Sequence, residues 1–182
     1  MTVTSDPAPD HRLVSSDRRL ASADREVVAA DELRRLMRRH ATTVTVITIA
    51  GADRPVGFTA TSFTSVSLRP PLVSFCVGRG SSCWQVLETA RHVGVHLLGA
   101  GQAEVARTFA TGGIDRFAGP TAWQPGPYGV PLLDGVLAWL VCRVADRIVA
   151  GDHAIVLAEP VLAEHAEGAP LLYHNGRYAC LL

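Results

Sequence analysis

Segment 56–84 constrains this chain more than any other: V-G-F-T-A-T-S-F-T-S-V-S-L-R-P-P-L-V-S-F-C-V-G-R-G-S-S-C-W. Residues 56–61 and 72–77 are short runs rich in Val, Phe, Thr and Cys. That composition suits a pleated, half-buried surface, so both runs read as strands. Between them lies a hydroxyl-rich arm of Thr59, Thr61, Ser62, Thr64, Ser65 and Ser67. Pro70 and Pro71 block a helix and set the entry to the second strand. Gly78, Arg79, Gly80, Ser81 and Ser82 then lead into a short helix predicted over 83–90. A strand, a glycine-bearing turn and a helix N-terminus present free N–H groups and the positive end of a dipole. Arg79 adds a full charge, so the turn is a natural anion site. The same residues also fit an ordinary polar turn, and spacing alone leaves both readings open.

At 182 residues the chain is most simply one domain with a full hydrophobic core. Its 17 basic residues, all arginine, balance 17 acidic ones. A zero balance gives no support for nucleic-acid binding, which needs a basic face. The absence of lysine excludes Schiff-base chemistry and a Walker-type phosphate loop. Cys76, Cys83, Cys142 and Cys180 form no C-x-x-C pair, which argues against a zinc site. Residues 1–10 have neither a basic start nor an apolar core, so they do not read as a secretory signal. No run reaches the roughly 18 apolar residues of a membrane span, and Asp134 interrupts the most apolar region, 130–142. Free thiols without a signal fit the cytoplasm.

Residues 1–26 lack periodicity and read as a disordered N-terminal tail, with a single domain over 27–182. A helix is predicted over 32–40, capped by Asp31, with Leu33, Leu36 and Met37 on its apolar stripe and Arg34, Arg35, Arg38 and Arg39 solvated. Residues 43–49 are all β-branched and pair with 56–61 as a hairpin across the turn at 51–55. Residues 93–98 read as another strand. His92 and His96 on that strand stand roughly 13 Å apart, too far to share an ion, and read as packing or surface histidines. A helix over 102–110 precedes a Gly/Pro-rich loop at 111–131, long enough to be functional or to cover something. Two long strands follow, 137–149 and 153–165. Asn175-Gly176 turns a last hairpin of 171–173 and 177–181. Many antiparallel strands with few helices predict a mainly β fold, a small barrel flanked by helices.

The chain resembles the flavin reductase-like proteins with an FMN-binding split barrel, which include the small reductase components of two-component flavin monooxygenases. The carrying pieces are A-T-T-V-T-V-I-T (41–48), G-F-T-A-T-S-F-T-S-V-S-L-R-P-P (57–71), the turn at 81–84, R-T-F-A with D-R-F (107–117), G-V-P-L-L-D-G-V-L-A (129–138) and G-D-H (151–153). Each is short, but their order and spacing are specific, and together they span roughly 33–182. The resemblance implies a Greek-key split β-barrel homodimer that uses NADH or NADPH to reduce FMN or FAD. It implies a separate flavin-dependent monooxygenase as the receiver of reduced flavin, with no nucleic-acid or membrane partner. Val56, Gly57, Phe58, Thr59, Thr61 and Ser62 would line the flavin. Cys76, Val77, Gly78, Ser81, Ser82 and Cys83 would approach its ribityl and phosphate part, with Arg79 as the charge. Thr108 and Phe109 match a further flavin contact. His153 matches the nicotinamide side and is the candidate catalytic residue. The chain departs from the family at Thr61, Cys83 and His96, where Asn, Thr and Asn are common.

Hydride transfer needs no protein nucleophile, because flavin and nicotinamide carry the reaction. A hydroxyl-rich strand can hold the polar edge of a flavin. No full G-x-G-x-x-G fingerprint is present, so the nicotinamide cofactor would bind without a Rossmann domain. Two alternatives use the same residues: a split-barrel oxidase that retains its flavin, and a non-catalytic flavin- or haem-binding protein.

Overall fold

The computed structural model describes residues 27–119 and 121–180; the tail expected at 1–26 lies outside them. The described residues divide into two units between Leu36 and Met37. Most of α1 (Ala30–Met37) falls in the first, and none of its residues is buried. Asp31, expected as its cap, instead lies inside the helix and pairs with Arg34 at 2.6 Å. The helix ends before the predicted His40. The carbonyl of Arg38 accepts the N–H of Asn175, which draws the chain out of helical geometry.

The second unit is built on a seven-stranded antiparallel sheet. Its strands are β2 (Thr45–Ile49), β3 (Val56–Ala60), β4 (Thr64–Leu68), β5 (Pro71–Gly78), β6 (His92–Leu97), β9 (Ala138–Ala150) and β10 (His153–His165). They lie in the order β3-β2-β6-β9-β10-β5-β4. The alternation of each strand sorts its side chains onto two faces. Val73, Phe75 and Val77 of β5, Val93 and Val95 of β6, Ile47 and Ile49 of β2, and Ala154, Val156 and Ala158 of β10 meet inside. Each large member of that set contributes about 1.5–3 kcal/mol by leaving water. The sheet curls around this core without closing, and β3 and β4 remain its two edges. Across the gap Phe58 and Phe75 pack with ring centroids 6.2 Å apart. The N–H of Cys76 donates to Ser62 Oγ at 2.9 Å. This is a split barrel, and its seam runs between the end of β3 and the body of β5.

On the other face, Val44, Val46 and Leu98 pack under α3 (Ala103–Ala110) and the segment that follows it. The loop expected at 111–131 holds β7 (Trp123–Pro125), one 3-10 turn at Pro127–Gly129 and the start of β8 (Pro131–Leu133). This strap covers the outer side of the sheet, where Thr48 Oγ1 donates to the carbonyl of Pro131 at 2.7 Å. His92, Gly94 and His96 face the strap. His92 stacks on Tyr128 at 4.0 Å, and His96 is fully buried. A Cβ at Gly94 would collide with Thr48 Oγ1 and His96 Cε1, so only glycine fits there. A smaller sheet joins β1 (Thr42–Thr43), β11 (Leu171–His174) and β12 (Arg177–Cys180). Asn175 and Gly176 have φ of 50° and 78°, the type I′ hairpin turn predicted for that dipeptide.

Two further expectations changed. The hydroxyl-rich arm is itself an edge strand, β4, with Val66 and Leu68 exposed and a register shift between Ser65 and Ser67. The helix predicted over 83–90 is a single turn, α2 (Trp84–Leu87), with Cys83 at its N-cap. Among the described residues, no helix is long and apolar enough to cross a membrane.

Candidate active site

A cleft of about 440 Å³ opens at the seam. Phe58, Thr59, Ala60, Thr61 and Ser62 form one wall and Cys76, Val77, Gly78 and Ser81 the other. Phe109, Ala110 and Arg116 close one end, and His153 stands at the rim. Its formation follows from the topology: β3 is one edge of the strand order and β5 lies next to the other edge, β4, so the curl brings β3 and β5 face to face. Thr59 Oγ1 donates to the carbonyl of Ala106 at 2.7 Å, which fixes α3 against β3. That hydroxyl keeps its lone pairs as acceptors, and Ser62 Oγ keeps its proton as a donor. Phe58, Val77 and Phe109 give the cleft an apolar side. Thr61 and Ser62, both exposed, give it a polar one. The combination suits a flat ligand with one polar edge.

His153 starts β10 opposite Gly78 on β5. Its Nδ1 lies 2.7 Å from Asp152 Oδ1. The carboxylate assigns the proton to Nδ1 and leaves Nε2 as the nitrogen directed over Gly78. A Cβ at Gly78 would come within 3.8 Å of that Nε2.

Val56, Gly57, Ser82 and Cys83 line a neighbouring cleft of about 320 Å³, bounded also by Arg54, Pro55 and residues 113–117. Arg116 belongs to both clefts. Its Nε donates to the carbonyl of Thr111 at 2.8 Å, and Nη1 donates to the carbonyl of Gly57 at 2.6 Å and to Cys83 Sγ at 3.1 Å. Phe117 holds the segment in place, edge-on to Phe109 at 5.1 Å and to Trp123 at 5.4 Å. The D-R-F triplet carried this signal in the sequence, but nothing in a loop of that length tells which residue turns inward.

The turn at 78–84 is less open than its composition predicts. The N–H groups of Arg79, Ser81, Cys83 and Trp84 already donate to Asp152 O, Gly78 O, Ser81 Oγ and Ser81 O. A one-turn helix also sums too few peptide dipoles to act as a strong anion site. The Arg79 side chain is exposed and lines neither cleft, and neither does Thr108.

The model of the flavin reductase like domain matches residues 37–181, and the chain belongs to that family. An NADH:FMN oxidoreductase of Rhodococcus qingshengii is 43% identical over 153 residues, covering 81% of this chain and 79% of its own. The reductase subunit of a flavin-dependent monooxygenase of Mycobacterium tuberculosis is 38% identical over 148 residues, covering 80% of this chain and 79% of its own. Among solved structures, the NADH:FAD oxidoreductase of Streptomyces globisporus, in complex with NAD and FAD fragments, superimposes with a TM-score of 0.80 at 37% identity. That match covers 87% of this chain and 98% of the other.

Proposed function

We propose that this protein is an NAD(P)H-dependent flavin reductase that reduces FMN or FAD and hands the reduced flavin to a separate flavin-dependent monooxygenase. The observation that carries this reading is the open seam cleft, with hydroxyls on one side, an apolar surface on the other and His153 at its rim. A bound flavin supplies the hydride acceptor, and the dihydronicotinamide supplies the hydride. Thr59, Thr61 and Ser62 offer acceptors and donors to the polar edge of the ring. Phe58, Val77 and Phe109 exclude water from its apolar part. His153, oriented by Asp152, presents Nε2 at the entrance and positions the nicotinamide carboxamide. No side chain needs to act as a nucleophile.

The relatives named as reductase subunits support a separate oxygenase partner. Exposed Val66 and Leu68 on β4, with Ile148, Val149, Val161 and Leu162 on β9 and β10, support a homodimer that would cover them. Four free thiols support a reducing compartment such as the cytoplasm. The test is consumption of NADH or NADPH with FMN, FAD or riboflavin in turn. Turnover that saturates with free flavin is expected. A tightly held flavin without pyridine-nucleotide oxidation would overturn the reading in favour of an oxidase or a flavin carrier.

A further inference from the structure

We propose that α1 is an exchanged arm, laid across the open end of β4 and β10 of a second copy of this chain. The inference rests on the homodimer proposed above and names the element that holds it together.

Every residue of α1 is exposed. Leu33, Leu36 and Met37 recur at i, i+3 and i+4, so they form one stripe along the helix, and each is more than half exposed. Val27 and Val28, just before the helix, are exposed as well. Helices shorter than about 12–15 residues are marginal in water. A helix of 8 residues therefore needs its stripe covered. Asp31 and Glu32 pair with Arg34 and Arg35. Among the described residues, Arg38 and Arg39 form no ion pair, so two uncompensated positive charges follow the stripe.

The second unit carries the complement. Leu68 pairs with Pro71 at the start of β5, and Val73 of β5 pairs with Ala158 of β10. Leu68, Pro71 and the residues after Ala158 therefore lie side by side at one end of the sheet. Val66 and Leu68 are exposed there, and so is every residue of 161–169. Val161 and Leu162 begin that segment. Glu164 and Glu167 follow, and neither forms an ion pair among the described residues. An apolar stripe followed by two arginines meets an apolar strip followed by two glutamates, and the charges fix the register. A helix on one copy and a strip on the other make a contact that a two-fold axis repeats, so the assembly closes as a dimer with two arms.

Sedimentation velocity across a dilution series reads the dimer dissociation constant of the full chain. Reversing the arm charges, Arg38→Glu with Arg39→Glu, should raise it about tenfold or more. Reversing the strip charges, Glu164→Arg with Glu167→Arg, should do the same. Leu36→Ser, which removes apolar contact without touching charge, should also raise it about tenfold or more. The decisive measurement mixes the two charge variants. In a mixed dimer both arms meet opposite charge, so the mixture should associate with about the wild-type constant while each variant alone does not. Absence of rescue on mixing would overturn the exchange, because an arm folded onto its own chain cannot be corrected by a second copy. A dimer indifferent to the α1 variants would also overturn the proposal and leave the homodimer standing. A wild-type chain that stays monomeric at every concentration would sink the homodimer reading and the arm with it.

Discussion

His96 and His153 both stand on strands of the seven-stranded sheet, and both engage Nδ1 in a hydrogen bond, to Val46 O at 3.2 Å and to Asp152 Oδ1 at 2.7 Å. Their surroundings differ completely. His96 lies beneath the strap between Val46, Gly94 and Trp139, fully buried, with Nε2 unpartnered. His153 lies at the mouth of the seam cleft, half exposed, with Nε2 directed over Gly78. The contrast extends to their regions. Under the strap, polar groups such as Thr48 are spent on holding backbone to backbone. At the seam, Thr61 and Ser62 stand exposed. Thr59 and Ser62 also bond backbone there, but Thr61, Ser62 and His153 keep polar atoms open to the cleft.

Acid separates the two regions most sharply. Burial lowers the His96 pKa from 6.5 to about 4. Below pH 6.5 the unfolded chain takes up a proton that the native state refuses. The stability contribution is therefore intact above pH 6.5 and is lost as pH falls toward 4, by about 3 kcal/mol in all. The cross-strand neighbours of His96, Val46 on β2 and Trp139 on β9, carry no titrating group. His96→Asn should remove this slope, because Asn carries no titrating proton. Chemical denaturation at pH 7 and pH 4 of both proteins gives the difference directly. A double difference under about 1 kcal/mol would mean that His96 is not sealed from water as its burial requires.

The opposite outcome is expected at the seam. His153→Ala should leave the melting temperature in place, because its side chain is half exposed at the cleft rim. It should lower the rate of flavin reduction at saturating flavin by up to about 100-fold, the cost of losing a positioning contact beside the reacting rings. Stopped-flow reduction of the flavin-loaded variant reads the rate and the NADH affinity separately. If both match wild type, His153 is a turn residue and the comparison with His96 loses its functional half. A variant that fails to fold would place His153 with the strap polar groups.

The strands that build the seam were legible because β2, β5, β6 and β10 carry strict alternation or β-branched runs, and the Asn175-Gly176 turn was legible because two positive φ values demand those residues. The exposed strand β4 was not legible. Its residues alternate between no two environments, so no period separates a strand from an arm. The candidate flavin-lining residues came from the order of short motifs rather than from any chemistry they advertise, and ten of them, from Phe58 to His153, do meet at one cleft. Four others, Val56, Gly57, Ser82 and Cys83, were read with them but line its neighbour. Arg116 went unassigned because its inward turn depends on Phe117 packing between Phe109 and Trp123, contacts that bridge the end of α3 and the strap.

Arg79 gives the smallest expected effect and the finest test of where the seam site ends. From composition, a lone arginine in a Gly/Ser turn before a helix reads as the phosphate ligand, worth about 1.5–3 kcal/mol as a charge-assisted bond. In the fold its N–H is taken by Asp152 O, its side chain is exposed, and the inward guanidinium is that of Arg116. An exposed charge near a ligand contributes only about 0.2–1 kcal/mol. Arg79→Ala should therefore raise KM for FMN by less than about fivefold. The change should shrink further at high salt, since solvent-exposed charges are screened beyond about 10 Å at 0.1 M. Riboflavin, which has no phosphate, provides the control, and its KM should stay unchanged. A tenfold loss confined to FMN and FAD would place the phosphate on the 78–84 turn after all. It would then assign Arg116 to holding β3, α2 and the 111–117 segment together, a polar side chain of the strap kind set at the edge of the seam.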